Sequence, residues 1–245
     1  PKLPVPMSSP DLTDAERQAV ANVLETPILS MGKYVKDFEQ AFCDLTGAKH
    51  AIAVNSGTAG LHLCVRAAGI GAGDLVITTP FSFVASSNVM LFENAVPVFV
   101  DVDPKTHNID ASKIEAAISS KTKAIMLANT LGNPFNVSIL KALCEKYNLW
   151  LVEDCCDALG SEYMGQKVGT FGDIGTLSFY PAHHITMGEG GAVFTNNAEL
   201  KTIAESFRDW GRDCYCPPGK DNTCSKRFCW KLGNLPQGYD HKYTY

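Results

Sequence analysis

From His50 onward the chain alternates short apolar runs with helical stretches: AIAVN then TAGLHLCVRAAG, DLVITT then FVASSNVMLFE, VPVFVDVD then DASKIEAAI, KAIMLA then SILKALCEKYN, and then WLVED. Strands that alternate with helices predict an α/β fold whose sheet is mostly parallel and covered by helices on both faces. GTLSF and GGAVFTN add strands, and LKTIAESFRDW adds a helix. Ahead of this pattern, Thr13 and Glu16 in SPDLTDAERQAV stand at capping-box spacing and predict a helix start. A second helix is predicted over KYVKDFEQAFCDL, where Val35, Phe38, Phe42 and Leu45 share one face.

A chain of 245 residues with 45% hydrophobic residues can bury a sizeable core, as one large α/β domain or two small ones. The reading adopted is one domain over 1–245, with a cysteine-rich loop at 213–229. A net charge of -5, with lysines and arginines scattered singly, leaves no footprint for nucleic acid. No apolar run reaches the length of a membrane span, and PKLPVPMSSPDLTDAERQ lacks the charged-then-apolar pattern of a signal, so the expected compartment is cytoplasm. A start without Met and an abrupt stop at DHKYTY read as a piece of something longer.

In a sheet of this kind ligands sit beyond the carboxyl ends of the strands. Three stretches arrive there. NSGTAG at 55–60 lies between a strand and a helix, where backbone N–H groups can cradle a phosphate; a plain turn with a Ser or Thr cap fits the same residues. EDCCDA at 153–158 places carboxylates at the end of an apolar strand, where a lone buried charge needs a partner. SFYPAHHITMGEGG at 178–191 sets two adjacent histidines between an aromatic-proline stretch and glycines.

Nine cysteines are many for a reducing compartment. Cys43, Cys64 and Cys144 fall within amphipathic helical patterns and read as buried, inert thiols. Cys155 and Cys156 are adjacent, while Cys214, Cys216, Cys224 and Cys229 crowd into DCYCPPGKDNTCSKRFC, which is too rich in Pro, Gly and charge for a core. An odd total argues against a disulfide framework and leaves metal binding or redox chemistry.

NSGTAGLHL, PFSFVASSN, VEDCCDALG and SFYPAHHITMGEGGAVFTN, in this order, resemble the fold-type-I, pyridoxal-phosphate-dependent aminotransferases that act on nucleotide-linked keto sugars. The resemblance covers essentially the whole chain and implies the large domain of that fold, without the small carboxyl-terminal domain. In that superfamily SFYP and a small residue precede the lysine that holds the cofactor as a Schiff base; His183 stands there instead. Imidazole can move protons but cannot form that bond, so ordinary transamination is not expected. The nearest lysines, Lys167 and Lys201, are off the signature position. With Cys156, Cys214, Cys216 and Cys224, the histidine resembles a narrower family, the CDP-6-deoxy-L-threo-D-glycero-4-hexulose-3-dehydrases, iron-sulfur enzymes of 3,6-dideoxysugar formation. Fifty-seven residues separate Cys156 from Cys214, one separates Cys214 from Cys216, and seven separate Cys216 from Cys224, matching that family's C-x57-C-x-C-x7-C pattern. Zinc modules more often present paired C-x2-C hooks, and four thiolates suit a [2Fe-2S] cluster. Cys155 and Cys229 remain alternative ligands.

The resemblance implies pyridoxamine phosphate as an untethered cofactor. It assigns Gly57, Thr58 and Ser178 to the phosphate, Phe83 to stacking on the ring, Asp154 to the pyridine nitrogen and Asp157 to the neighbourhood of the ring hydroxyl. His183 is the candidate base, since an imidazole pKa of about 6.5 lies near working pH; a structural histidine capping the glycine turn is the other reading, and it fits His184 better. The implied reaction removes the hydroxyl at carbon 3 of a CDP-linked 4-keto-6-deoxyhexose. An extended segment would put Asp154 and Cys156 roughly 6 to 7 Å apart on one side, joining ring and cluster. An NADH-dependent flavin and iron-sulfur reductase is the implied electron donor, and a homodimer the implied assembly. Asn129 in ANTLGNPF departs from the histidine expected in the dehydrases. Three alternatives stay open: a cluster-free sugar 3-dehydratase, a non-catalytic zinc-binding scaffold and an ordinary sugar aminotransferase.

Overall fold

The computed structural model describes residues 8–211 and Asn234. In chain order the elements are α1 (Asp14–Leu24), α2 (Lys33–Thr46), β1 (His50–Val54), α3 (Gly57–Ala67), β2 (Leu75–Thr78), α4 (Ala85–Phe92), β3 (Val96–Phe99), α5 (Ala111–Ala117), β4 (Thr122–Ala128), a 3-10 turn (Thr130–Gly132), α6 (Val137–Tyr147), β5 (Trp150–Asp154), β6 (Glu162–Tyr163), β7 (Gln166–Lys167), β8 (Ile174–Ser178), β9 (Gly191–Thr195) and α7 (Ala198–Arg208). Seven strands form one sheet in the order β1-β9-β8-β5-β4-β2-β3. The pairs from β8 through β3 are parallel, as the alternation requires. Only β9 runs against both of its neighbours. No helix intervenes between β8 and β9, and strands joined by a loop alone pair antiparallel. That loop, 179–190, carries the two histidines.

Side chains alternate across the sheet and fill two faces. Ile52, Val76, Met126, Val152 and Val193 pack under α3, α4 and α7. The intervening Ile77, Ile125 and Leu151 pack with α5 and α6 on the opposite face. Beyond them on that side, Phe42 of α2 meets Leu177, Phe179 and Phe194. Each such residue fully removed from water contributes roughly 1.5–3 kcal/mol. Among the described residues no helix is long and apolar enough to cross a membrane.

One glycine sets how closely α3 lies on the sheet. A Cβ at Gly60 would stand 2.1 Å from Thr176 Oγ1 on β8, so only a bare backbone allows this approach. The consequence is that the amino end of α3 arrives beside the carboxyl end of β8.

Some expectations change in detail. The capping box is present, with both the Thr13 and Glu16 side chains bonded to backbone, yet α1 buries no residue. On α2, Phe42 is buried but Leu45 is 52% exposed; the stripe runs instead to Thr46. The Thr46 hydroxyl donates to the Phe42 carbonyl at 2.8 Å, which makes its burial affordable in hydrogen bonds. VPVFVDVD is not one strand. β3 is an edge, its partner β2 ends at Thr78, and only an isolated Val102–Ile109 bridge follows. The MGQKVG turn is part of a small hairpin, β6–β7, closed by Met164 and Gly165, both at positive φ.

Candidate active site

The carboxyl ends of β1, β2, β4, β5 and β8 open into one cavity of about 1110 Å³. Gly57, Thr58, Phe83, Asp154, Cys156, Asp157, Ser178 and His183 all line it, whereas Cys155, the alternative ligand among the described residues, does not. Cys214, Cys216, Cys224 and Cys229, with the rest of the 213–229 loop, lie outside the described residues. No lysine among the described residues reaches the cavity wall. Lys167 is held by Glu162 at 2.7 Å and the Gly160 carbonyl at 3.2 Å, and Lys201 pairs with Glu205 at 2.7 Å.

One end of the cavity is built from α3. Ser56 caps the helix by accepting the Ala59 N–H at 3.1 Å, so the first-turn N–H groups face the cavity at the positive end of the helix dipole. A Cβ at Gly57 would lie 2.6 Å from Ser178 Cβ and 3.1 Å from both Ser178 Oγ and Cys156 Sγ. Glycine is therefore required where helix, strand and turn converge, and the gap it leaves brings Ser178 Oγ to the same end. These residues fit a phosphate.

Asp154, the last residue of β5, is 6% exposed. Its Oδ1 accepts the Cys156 N–H at 3.0 Å and its Oδ2 accepts the Ser86 hydroxyl at 3.3 Å. Burial pushes this carboxyl above the ordinary aspartate range; the Cys156 and Ser86 hydrogen bonds oppose the rise, and the charge of Asp157 adds to it. No cation among the described residues pairs with Asp154. A protonated ring nitrogen would supply the missing positive charge, so this residue too fits the cofactor. Phe83 lies on the wall and is 74% exposed.

His183 departs from its assigned neighbours in one respect. Its Nδ1 lies 2.9 Å from Asp157 Oδ1, so Asp157 is seated on the imidazole, whereas the resemblance assigns it to the ring hydroxyl. An ionised carboxylate can only accept, so Nδ1 is the nitrogen that donates to Asp157 and Nε2 is the one left to exchange a proton. The His183 N–H donates to the Tyr180 carbonyl at 3.0 Å, and the Tyr180 ring meets the imidazole edge-on at 6.0 Å. His184 is absent from the cavity wall.

β5 ends at Asp154, and residues 156–157 form a turn. Both side chains still line the cavity, because the Asp154 carboxylate draws the Cys156 N–H back toward it. Burial, with the Asp154 charge adding, pushes the Cys156 thiol well above its ordinary range. A thiolate there would need a cation beside it. Among the described residues no group of three or more His, Cys, Asp or Glu side chains could hold a metal. Burial likewise raises the Cys64 thiol, and takes Cys144 up to about 12, consistent with inert core thiols; Cys43 is half-buried. Cys155 is buried and accepts from Asn129 Nδ2 at 3.5 Å.

The sequence reading missed Ser82, Ser86 and Tyr180. The two serines lie four residues apart in PFSFVASSN, a spacing that aligns them once α4 begins there.

Residues 10–233 match the DegT/DnrJ/EryC1/StrS aminotransferase family. The chain is 54% identical over 249 residues to lipopolysaccharide biosynthesis protein RfbH of Salmonella typhimurium, covering 98% of this chain and 57% of that protein. It is 46% identical to dTDP-4-dehydro-2,6-dideoxy-D-glucose 3-dehydratase of Saccharopolyspora spinosa, covering 99% of this chain and 54% of the relative. Among solved structures, GDP-4-keto-6-deoxymannose-3-dehydratase with a trapped PLP-glutamate geminal diamine superposes with a TM-score of 0.80 at 31% identity, over 84% of this chain and 55% of that one. The chain thus spans somewhat more than half the length of the relatives it matches. A match that runs through nearly all of the described fold, with identities this high, decides the relationship: the chain belongs to the DegT/DnrJ/EryC1/StrS aminotransferase family.

Proposed function

We propose that the chain is the cofactor-binding large domain of a 3-dehydrase that removes the carbon-3 hydroxyl of a CDP-linked 4-keto-6-deoxyhexose on the way to a 3,6-dideoxysugar. The observation that carries this reading is His183, seated on Asp157 at the signature position of a cavity with no lysine on its described wall. Two relatives, from different nucleotide-sugar systems, are themselves named 3-dehydratases, and RfbH is named for lipopolysaccharide biosynthesis. Pyridoxamine phosphate, when bound, supplies a primary amine and an electron-accepting ring. The α3 amino end, Thr58 and Ser178 would hold its phosphate, Phe83 would cover the ring, and Asp154 would meet the ring nitrogen. His183 Nε2 takes the proton whose removal precedes loss of the hydroxyl, a role typically worth about 10²- to 10⁴-fold. Asp157 keeps Nδ1 protonated, so that Nε2 is the basic atom throughout.

The electron-relay half of the proposal rests on the cysteine spacing, with Cys156 on the cavity wall as the described ligand. A [2Fe-2S] cluster would supply single electrons there, fed by an NADH-dependent flavin and iron-sulfur reductase, in a homodimeric protein of the cytoplasm.

The test uses protein of the relatives' full length, purified without oxygen. Borohydride treatment followed by peptide mass spectrometry is expected to leave no covalent cofactor. His183→Asn is expected to lower dehydration by about 10²- to 10⁴-fold while pyridoxamine phosphate still binds. Iron and sulfide analysis is expected to give a cluster. A cofactor trapped on a side chain would overturn the dehydrase reading; dehydration without iron would leave the cluster-free 3-dehydratase, and zinc with no dehydration the scaffold.

A further inference from the structure

The carboxylate of Asp154 is anchored from two directions, and the two anchors differ in kind. Oδ1 accepts the N–H of Cys156, two residues along the same turn, a local contact that follows wherever the turn goes. Oδ2 is held from a different element, by the hydroxyl of Ser86 in the first turn of α4. Behind it, Ser82 Oγ lies 2.9 Å from Ser86 Oγ. Ser82 is on the cavity wall, whereas Ser86 is buried at 3% exposure and does not reach it.

With Asp154 ionised, as a protonated ring nitrogen opposite it requires, the direction of this chain follows. A carboxylate has no proton to give, so Ser86 donates to Asp154. That uses the only proton Ser86 has, so its oxygen must accept, and Ser82 must donate to it. The result is a one-way row of donors, Ser82 to Ser86 to Asp154, ending on an anion, which is the stronger kind of hydrogen bond. The ionisable groups that act on Asp154 are Asp157 and Cys156 from its own turn, together with the buried thiols of Cys64 on α3 and Cys155. None is a cation, and among the described residues the Ser86 hydroxyl is the hydrogen bond that fixes Oδ2 from outside the turn.

We propose that Ser86, backed by Ser82, is a positioning residue for the cofactor: it holds the Asp154 carboxylate in the orientation that meets the ring nitrogen. The inference deepens the proposed function, since it rests on a pyridine ring occupying this cavity, but it does not depend on dehydration. Without Ser86 the carboxylate keeps only its local anchor and can rotate about its terminal torsion.

The experiment compares full-length wild-type, Ser86→Ala and Ser82→Ala proteins, with thermal melts to confirm folding. The first readout is affinity for pyridoxamine phosphate by equilibrium dialysis. The second is the nitrogen-15 shift of ring-labelled pyridoxamine phosphate in the bound state. Loss of a hydrogen bond to a charged group predicts an affinity for Ser86→Ala roughly tenfold or more below wild type. Its ring-nitrogen signal is expected to move toward the unprotonated range. Ser82→Ala, which leaves the final bond in place, is expected to show the same changes at smaller size. If Ser86→Ala does not yield folded protein, Ser86→Cys, nearly the same size but a much weaker donor, is measured in its place. Unchanged affinity and an unchanged nitrogen signal in a folded variant overturn the proposal, even if the protein is a dehydrase. Wild-type protein that binds the cofactor without dehydrating a sugar overturns the proposed function and leaves the Ser86 comparison decisive. Wild-type protein that binds no pyridoxamine phosphate overturns both.

Discussion

Replacing Gly57 with alanine puts a methyl group where α3, β8 and the 154–157 turn meet. The new Cβ would lie 2.6 Å from Ser178 Cβ, with Ser178 Oγ and Cys156 Sγ at 3.1 Å. Carbon–carbon contacts settle near 3.5–4.0 Å, so helix and strand must part by roughly 1 Å. Ser178 Cβ is attached directly to strand backbone, and Ser178 is itself buried, so the strain cannot be relieved by turning a long side chain. Overpacking of this kind costs about 1–3 kcal/mol, against which better helix propensity offsets at most about 1 kcal/mol. The expected net loss is about 1–2 kcal/mol, or a melting temperature lower by roughly 2–8 °C. The larger effect falls on the phosphate. If parting the α3 amino end from Ser178 loses one charge-assisted hydrogen bond, affinity for pyridoxamine phosphate falls by about ten- to a hundredfold. Urea denaturation and calorimetric titration of full-length protein measure the two effects. Gly71→Ala is the control: a Cβ there meets nothing within 4 Å, and the substitution should be neutral or stabilise by about 0.4–1 kcal/mol. Gly57→Ala protein with unchanged stability and unchanged affinity would refute both the packing argument and the phosphate cradle.

Two further predictions concern the scaffold. Glu93, at the end of α4, accepts from His62 at 2.6 Å and Arg66 at 2.5 Å on α3. Burial pushes its carboxyl up, but His62 and Arg66 outweigh burial and hold it below the ordinary range. A depressed acid stabilises the fold above its unfolded value of about 4.3 and loses that contribution as pH falls through the folded value. Glu93→Gln should therefore cost about 1–2 kcal/mol at pH 7, with the gap to wild type closing below about pH 4, in urea titrations across pH. Thr78 Oγ1 is buried without a hydrogen-bond partner among the described residues, so Thr78→Val should stabilise by about 1 kcal/mol, read as a raised urea midpoint.

The parts of this molecule legible in sequence are those governed by local chemistry. Strand and helix alternation gave the sheet, and the capping box gave the start of α1. Placement beyond strand ends brought NSGTAG, EDCCDA and SFYPAHH to one cavity. What sequence did not carry was tertiary choice. Leu45 and Thr46 both fit the α2 stripe at helical spacing, and it is the threonine that is buried, its hydroxyl satisfied within its own helix. Asp157 lines the cavity as expected, and its contact with the imidazole comes only from the path of the 179–190 loop. Ser86 looked like an ordinary residue in a helix start, since nothing local points its hydroxyl at a carboxylate 68 positions away.

The same distinction separates the two successive acids that end β5. Alternation sends Glu153 and Asp154 to opposite sides, and both are buried, an arrangement that would be prohibitive if neither charge were compensated. Glu153 is completed from within: its carboxylate accepts N–H groups of Gly169 at 2.8 Å, Phe171 at 2.8 Å and Gly172 at 2.6 Å, clamping the approach to β8. Burial pushes both carboxyls up and neither has a cation among the described residues, but Asp154 accepts from only one backbone N–H and one hydroxyl, against the three backbone N–H groups on Glu153. Exchange of each acid for its amide should therefore have opposite outcomes. Glu153→Gln turns an N–H donor toward backbone donors and should cost roughly 2–4 kcal/mol of stability. Asp154→Asn keeps an acceptor for the Cys156 N–H and removes an uncompensated charge, so the fold should be unchanged or more stable while affinity for pyridoxamine phosphate is lost. Paired urea melts and cofactor titrations read both. If Asp154→Asn instead unfolds the protein as readily as Glu153→Gln, the carboxylate is structural and the case for it as the partner of a ring nitrogen fails.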